Sequence, residues 1–244
     1  MIPLVLLHFF GSSRREWADV SSRMPADATI LAIDLPGFGD AAGEPPRDAS
    51  GMADVVEARI AAAGFEACVV VGHSMSGKVA ALLAARRATW LKGIVLVTAS
   101  PPSPEPMTAE ARCALLAFDG SRGAAEHYVD GLTAARLPVA PRECAIGDVM
   151  RASPVAWRAW IEHGSQEDCA ATVGLVALPA LVVAGASDPS LGIDIQRALV
   201  MPHFPQASLV TIAGGHALPL ESAPDLARAI ARFVEQLASH PQPA

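Results

Sequence analysis

Three residues in this 244-residue chain carry the means for nucleophilic chemistry at a carbonyl carbon. They are Ser74 in "VVVGHSMSGKVAALLA" (69–84), Asp188 in "VAGASDP" and His216 in "IAGGHALPLE". A serine hydroxyl is a weak nucleophile until a histidine takes its proton and an acid holds that imidazole in the right tautomer. Ser74 stands where a β-branched run ends at Gly72 and an Ala/Leu-rich pattern begins. A tight strand-to-helix turn of this G-x-S-x-G type lifts the hydroxyl above the sheet rim. The helix that follows aims its N-terminal amides and dipole at the site, which favours developing negative charge. Ser76 stands where the second glycine is usual, and it is small enough to keep strand and helix close, with Gly77 next. Alone, such a turn is also compatible with no chemistry. Likewise Asp188 before Pro189 could be a turn initiator, and His216 a loop histidine at a helix start. The order Ser, Asp, His, with each partner in the loop after a later strand, favours the triad. Asp194 and Glu221 fit those places less well. The Met75 backbone N–H would be one oxyanion donor, and the loop after the first strand, "LLHFFGSSRREW", would give the other.

These residues need a scaffold, and the apolar runs provide one. Runs at 2–8, 29–34, 67–73, 92–98, 180–185 and 207–213 are nearly continuous in Val, Ile and Leu. That pattern suits strands buried on both faces of a parallel sheet. Helical patterns lie between them, in "SSRREWADVSSRM", "GMADVVEARIAAAG", "SGKVAALLAARRA" and "APDLARAIARFVEQLA". In the last, Leu226, Ile230, Phe233, Val234 and Leu237 make one apolar stripe. The alternation predicts a doubly wound α/β sheet of about six strands. It lapses after "ASPPSPEPMTAEAR", whose prolines cannot continue a helix or a central strand. Helical segments are predicted near 108–118, 121–132, 141–150 and 153–163, followed by "SQED", a capping-box pattern from Ser165 to Asp168. The expected layout is a core over 1–98, a helical cap insert over 99–175 and core again over 176–244. The tail "SHPQPA" is expected to fray.

Composition narrows the class. The chain is 52% hydrophobic and 18% charged, with net charge -7, which suits a globular protein and disfavours nucleic acid as a partner. No run is long enough to span a membrane, and the opening "MIPLVLLHFFG" lacks the basic start of an export signal, so a cytoplasmic location and no membrane partner are expected. The four cysteines, Cys68, Cys113, Cys144 and Cys169, lack metal-like spacing and are expected to be free and buried. No P-loop or metal-ligand cluster is visible, so no cofactor and no metal is expected.

The chain resembles the α/β-hydrolase superfamily, and its small esterase-like members in particular, over nearly its whole length. "LLHFFGSS", "AIDLPGFGDA", "VGHSMSG", "VAGASDP" and "IAGGHALPLESAPDLARAIARFV" carry the resemblance. It implies that Ser74, Asp188 and His216 are the triad and that Met75 and Phe10 supply the oxyanion amides. Phe9 replaces the glycine that usually follows the loop histidine, so the second amide belongs to Phe10 or to Phe9. The chain begins at what would be the family's third strand, which implies a mostly parallel sheet without the N-terminal antiparallel hairpin. Asp34 in "DLPGFG" and His8 read as loop scaffold, and His73 as a packing residue.

The chemistry expected is transfer of an acyl group to water through an acyl-enzyme on Ser74. A small or medium carboxylic ester is the expected substrate, with Phe9, Phe38, Trp160 and Leu218 near it. Trp157 and Trp160 are spaced as a helix stripe that could pack the core or the pocket. The same triad serves lactonases, thioesterases and C–C bond hydrolases, and a slow-turnover small-molecule receptor is the alternative of another class. Oligomeric state is not fixed by the sequence.

Overall fold

The computed structural model describes residues 1–41 and 48–239. The predicted frayed tail lies, from residue 240 on, outside them.

Six strands form one sheet: β1 (Leu4–Leu7), β2 (Ile30–Ile33), β3 (Cys68–His73), β4 (Leu91–Val97), β5 (Ala180–Gly185) and β6 (Ser208–Ile212). Their order is β2-β1-β3-β4-β5-β6 and every pairing is parallel. Each apolar run of the sequence therefore became a strand, with ends that agree to within two residues. Alternate residues face opposite sides. Leu7, Val70, Ile94, Leu96 and Val182 face one core, with α2 (Ala49–Ala62) and α3 (Met75–Ala85) packed on it. Leu6, Val71, Val95, Val97 and Val183 face the other, under α1 (Ala18–Ser22) and α11 (Ala223–Ser239). Leu226, Ile230, Phe233 and Val234 of α11 are buried there, each worth roughly 1.5–3 kcal/mol of burial.

From β1 the chain steps outward to β2 and then returns past β1 to β3. This reversal opens a crevice at the carboxyl ends of β1 and β3, where open α/β sheets place ligands. The loops carrying Phe9, Phe10 and Ser74 leave the sheet there.

Between β4 and β5 come α4 (Ala109–Leu116), α5 (Arg122–Gly131), α6 (Val139–Arg151), α7 (Pro154–Glu162) and the short α8 (Ala170–Val173). Thr108, Ser121 and Ser153 cap α4, α5 and α7 by accepting backbone N–H bonds, which explains where these helices begin. The "SQED" pattern does not start a helix as predicted. Ser165 is buried in a 3-10 turn, its hydroxyl taken by Ile161 and Arg112, while Asp168 bonds the Ala170 N–H. The first predicted helix is likewise shorter, a 3-10 turn over Arg14–Trp17 running into α1. After β5 come α9 (Ile193–Ile195), continued as a π turn to Val200, and then, beyond β6, α10 (Leu218–Glu221). No helix among the described residues is long and apolar enough to cross a membrane. All four cysteines are free, but only Cys68 is buried, and burial pushes its thiol up to about 12. Cys113 and Cys144 are exposed, contrary to the prediction, because the outer faces of α4 and α6 carry them.

Candidate active site

Ser74 occupies the turn between β3 and α3 with φ 54° and ψ −118°, a conformation that costs a non-glycine residue roughly 1–3 kcal/mol. Neighbouring backbone holds it there. The Ser74 N–H donates to Val97 O at 2.9 Å, and Ser74 O accepts from Gly77 N–H at 2.8 Å and Ser100 N–H at 2.9 Å. A Cβ on Gly72 would run into the Ser76 carbonyl, and one on Gly77 into Ala99. Both glycines are therefore fixed by close approach. Ser76 does more than fit. Its hydroxyl donates to Leu7 O at 2.8 Å and accepts the His73 N–H at 2.9 Å, tying the turn to the end of β1.

The loops after β5 and β6 bring Asp188 and His216 to this serine. His216 Nε2 lies 2.7 Å from Ser74 Oγ, and Nδ1 lies 2.8 Å from Asp188 Oδ2. Nδ1–H donates to the carboxylate, which leaves Nε2 free to accept the serine proton. Asp188 Oδ1 accepts the Ser190 and Leu191 N–H groups at 2.8 and 3.1 Å. Burial works to raise the Asp188 pKa, but the bond and charge of His216 and these two N–H groups outweigh it, so the carboxyl stays below its ordinary value. The buried Gln196 steadies the same loop by donating to Leu191 O and Ala99 O. On the other side Glu221 accepts the Gly215 N–H at 2.6 Å and the Ala134 N–H at 2.6 Å, clamping the histidine loop to the segment after α5. The His216 N–H itself donates to Leu132 O.

Beneath this line lies a second buried pair. Glu16 Oε1 is 2.8 Å from His73 Nδ1, and His73 Nε2 is 2.9 Å from His216 O. Both ring nitrogens face oxygens, which fixes the orientation of the ring. The other Glu16 oxygen accepts the Phe9 N–H at 3.3 Å. Thr98 Oγ1 also donates to His216 O, from a residue at φ 38°.

The first loop is set by His8, whose Nδ1 donates to Phe9 O and whose Nε2 accepts the Leu35 N–H. Burial lowers the His8 pKa, in keeping with a neutral ring that accepts at one nitrogen. Of the two amides left open by the sequence, Phe9's is taken by Glu16. No acceptor among the described residues is bonded to the Phe10 or Met75 N–H.

A pocket of ≈ 580 Å³ opens over Ser74 and His216, lined by Phe10, Trp157 and Trp160 among others. Trp160 was expected there. Phe9, Phe38 and Leu218 were too, and they do not line it. Phe9 is buried against the His73 ring at 5.2 Å, Phe38 packs on His8 and Phe10, and Leu218 belongs to the core under α11. Adjacency in sequence to the site loops placed their backbones near it, while all three side chains turn into the core. Asp34 accepts the Arg14 and Asp40 N–H groups and so closes its own loop.

Sequence reasoning missed Glu16, which sits in "SSRREW" and looks like one more charge on a solvated helix. It also missed Glu105, a carboxyl on the pocket wall. Its proline-rich surroundings carry no periodic signal. Lys78 went unnoticed as well. It is fully buried on α3 and donates to Gly164 O and Glu167 O at 3.1 and 2.7 Å.

Comparison with known proteins agrees with this architecture. The chain is 28% identical to a pimeloyl-acyl-carrier-protein methyl ester esterase of Neisseria meningitidis serogroup C, over 94% of this chain and 92% of that protein. Its fold superposes on an esterase from Exiguobacterium antarcticum with a TM-score of 0.86 at 16% identity, covering 96% of this chain and 92% of that one. The enol-lactonase from Burkholderia xenovorans LB400 gives 0.82 at 19% identity, covering 96% and 92%. A profile described as the alpha/beta hydrolase family matches residues 4–230. With the six-stranded parallel sheet and a serine in its sharp turn, that match makes this chain a member of the alpha/beta hydrolase family.

Proposed function

We propose that the chain is a serine hydrolase that cleaves carboxylic esters of small or medium acyl groups. The observation that carries this reading is the continuous line from Ser74 Oγ to His216 Nε2 at 2.7 Å and from His216 Nδ1 to Asp188 Oδ2 at 2.8 Å, opening on a largely apolar pocket. In this reading His216 takes the Ser74 proton as the hydroxyl attacks the ester carbonyl. Asp188 holds the imidazole and stabilises its protonated form. The Met75 and Phe10 N–H groups receive the oxyanion, helped by the start of α3. His216 then gives its proton to the leaving alkoxide. Water enters, loses a proton to His216 and releases the acid, freeing Ser74. The name of the Neisseria relative, a methyl ester esterase, supports ester rather than other acyl chemistry.

The helices between β4 and β5 serve as the cap over the pocket in this reading, with Trp160 and Trp157 from α7 against the substrate. Catalysis uses no cofactor, the substrate is a small ester, and the protein works in the cytoplasm. The test is turnover of p-nitrophenyl acetate and butyrate by the native protein and by Ser74→Ala. The native protein should turn both over, and the variant should fall to the background rate. Equal rates in the two proteins would remove Ser74 from the reaction.

A further inference from the structure

The wall of the pocket is mostly apolar, and among the described residues one carboxylic acid interrupts it. Glu105 is the only Asp or Glu among the described residues that line the cavity, and no Lys or Arg lines it. Ser74 and His216 line the same cavity, so a substrate bound for reaction shares this space with the acid.

Glu105 is held in place from behind. Its N–H donates to Ser165 O at 2.8 Å and its carbonyl accepts the Met107 N–H at 2.7 Å. The turn that carries Ser165 is in turn fixed to α3 by Lys78, through Gly164 O and Glu167 O. Charged or titratable groups that face the Glu105 carboxyl are Lys78, His216, Arg112 and, across the same cavity, Tyr128. Neither cation lines the pocket. Lys78 is spent on the two carbonyls, and Arg112 on Ile161 O and Ser165 Oγ. The buried Ser100 hydroxyl also faces the acid without closing a hydrogen bond. Burial raises the Glu105 pKa, against the pull of Ser100 and of these charges.

An anionic group entering this space must shed its water with no Lys or Arg on the wall to receive it, the His127 and His216 imidazoles being the only basic side chains among the described residues that line it. Once Glu105 has lost its proton, the anion also meets a like charge. An uncharged chain loses nothing to either effect and gains from the aromatic wall. We propose that Glu105 is a specificity-determining residue that confines the pocket to uncharged substrate chains and turns away those ending in a carboxylate or phosphate. This selectivity rests on the ester-hydrolase reading of Ser74 and adds to it the class of chain accepted.

The experiment compares two esters of matched length, p-nitrophenyl hexanoate and the mono-p-nitrophenyl ester of adipic acid, in the native protein and in Glu105→Gln. The quantity read is the ratio of their kcat/KM values across pH 5.5–8.5, in which the titration of the reacting histidine cancels. In the native protein the neutral ester should lead by about tenfold or more over the ratio seen in Glu105→Gln, a size typical of one like-charge contact in a partly dry site. That lead should widen as pH rises and Glu105 ionises. The same ratio in both proteins at every pH would overturn the proposal, as would preference for the carboxylate-tailed ester by the native protein. Binding of hexanamide and of adipic acid monoamide to Ser74→Ala by calorimetry gives a reading that needs no turnover. Tighter binding of the neutral amide, reduced by adding Glu105→Gln, supports the role of Glu105 even if the esters prove poor substrates. Equal binding of the two amides contradicts it, whatever the fate of the ester-hydrolase reading.

Discussion

Glu16 and His73 meet at 2.8 Å directly beneath Ser74 and His216, and together they touch both halves of the proposed catalytic apparatus. Glu16 holds the Phe9 N–H of the first loop, and His73 holds the carbonyl of His216. The pair thus fixes the distance between the Phe10 amide and the imidazole without contacting substrate. Glu16→Gln removes an acceptor and adds an amide N–H beside two groups that already donate. The variant should lose roughly 3–5 kcal/mol of stability, the usual cost of breaking a buried pair. Among molecules that remain folded, kcat should fall about tenfold or more while KM changes little, since a small misplacement of an oxyanion donor acts on the transition state. Denaturant titration and steady-state kinetics below the unfolding range separate the two effects. A variant with native kcat would show that the first loop needs no such tie.

Asp188 offers a cleaner dissection. In Asp188→Asn the amide keeps the size of the side chain but no longer favours the Nδ1–H tautomer, and kcat should drop by about 10³–10⁴-fold. Because Asp188 is held below the ordinary carboxylate range, it remains ionised in mild acid. The acid limb of kcat/KM for a neutral ester should therefore follow a single proton, with unit slope on a logarithmic plot. A slope of two would mean that the acid titrates alongside the imidazole.

Ser76 tests the turn itself. Restoring the more usual glycine by Ser76→Gly removes the bond to Leu7 O and the acceptor of the His73 N–H. Thermal unfolding should report a loss of about 1–3 kcal/mol, because two buried backbone groups are left unpaired. An equally stable variant would mean that water or the backbone takes over both bonds.

Lys78 makes a prediction about pH and stability. Burial lowers its folded pKa below the ordinary lysine value of 10.5, with Glu105 and neighbouring acids pulling the other way. Between the folded and unfolded values the unfolded chain binds more protons, so stability rises with pH through that window. Relative to Lys78→Met, the native protein should gain stability as pH rises from the lowered folded value towards 10.5. Parallel stability curves for the two would contradict the burial of a chargeable amine there.

Much of this was legible in the sequence, for physical reasons that also mark where reading stops. Strands buried on both faces must be apolar throughout, so β1, β3, β4 and β5 announced themselves as runs, while β2 and β6, half-buried at the sheet edges, kept enough Val, Ile and Leu to be read the same way. The stripe of α11 did so through its 3.6-residue period. Ser74, Asp188 and His216 were readable because each sits at the end of such a run. Pairs that depend on three-dimensional closure were not. Glu16 reaches His73 across 57 positions, and Lys78 reaches Gly164 across 86. A charged residue buried by its partner looks in sequence like one bathed in water. For the same reason Phe9, Phe38 and Leu218 seemed close to the substrate, when only backbone geometry could say which way each side chain turned.

The proposed reaction passes through a covalent acyl intermediate on Ser74. The direct measurement is rapid acid quenching of the native protein with p-nitrophenyl butyrate, followed by peptide mass spectrometry. A butyryl adduct should appear on the peptide containing Ser74, formed with the burst of nitrophenol and absent in Ser74→Ala. A burst whose adduct maps instead to the exposed Cys113 or Cys144, or survives in Ser74→Ala, would contradict it.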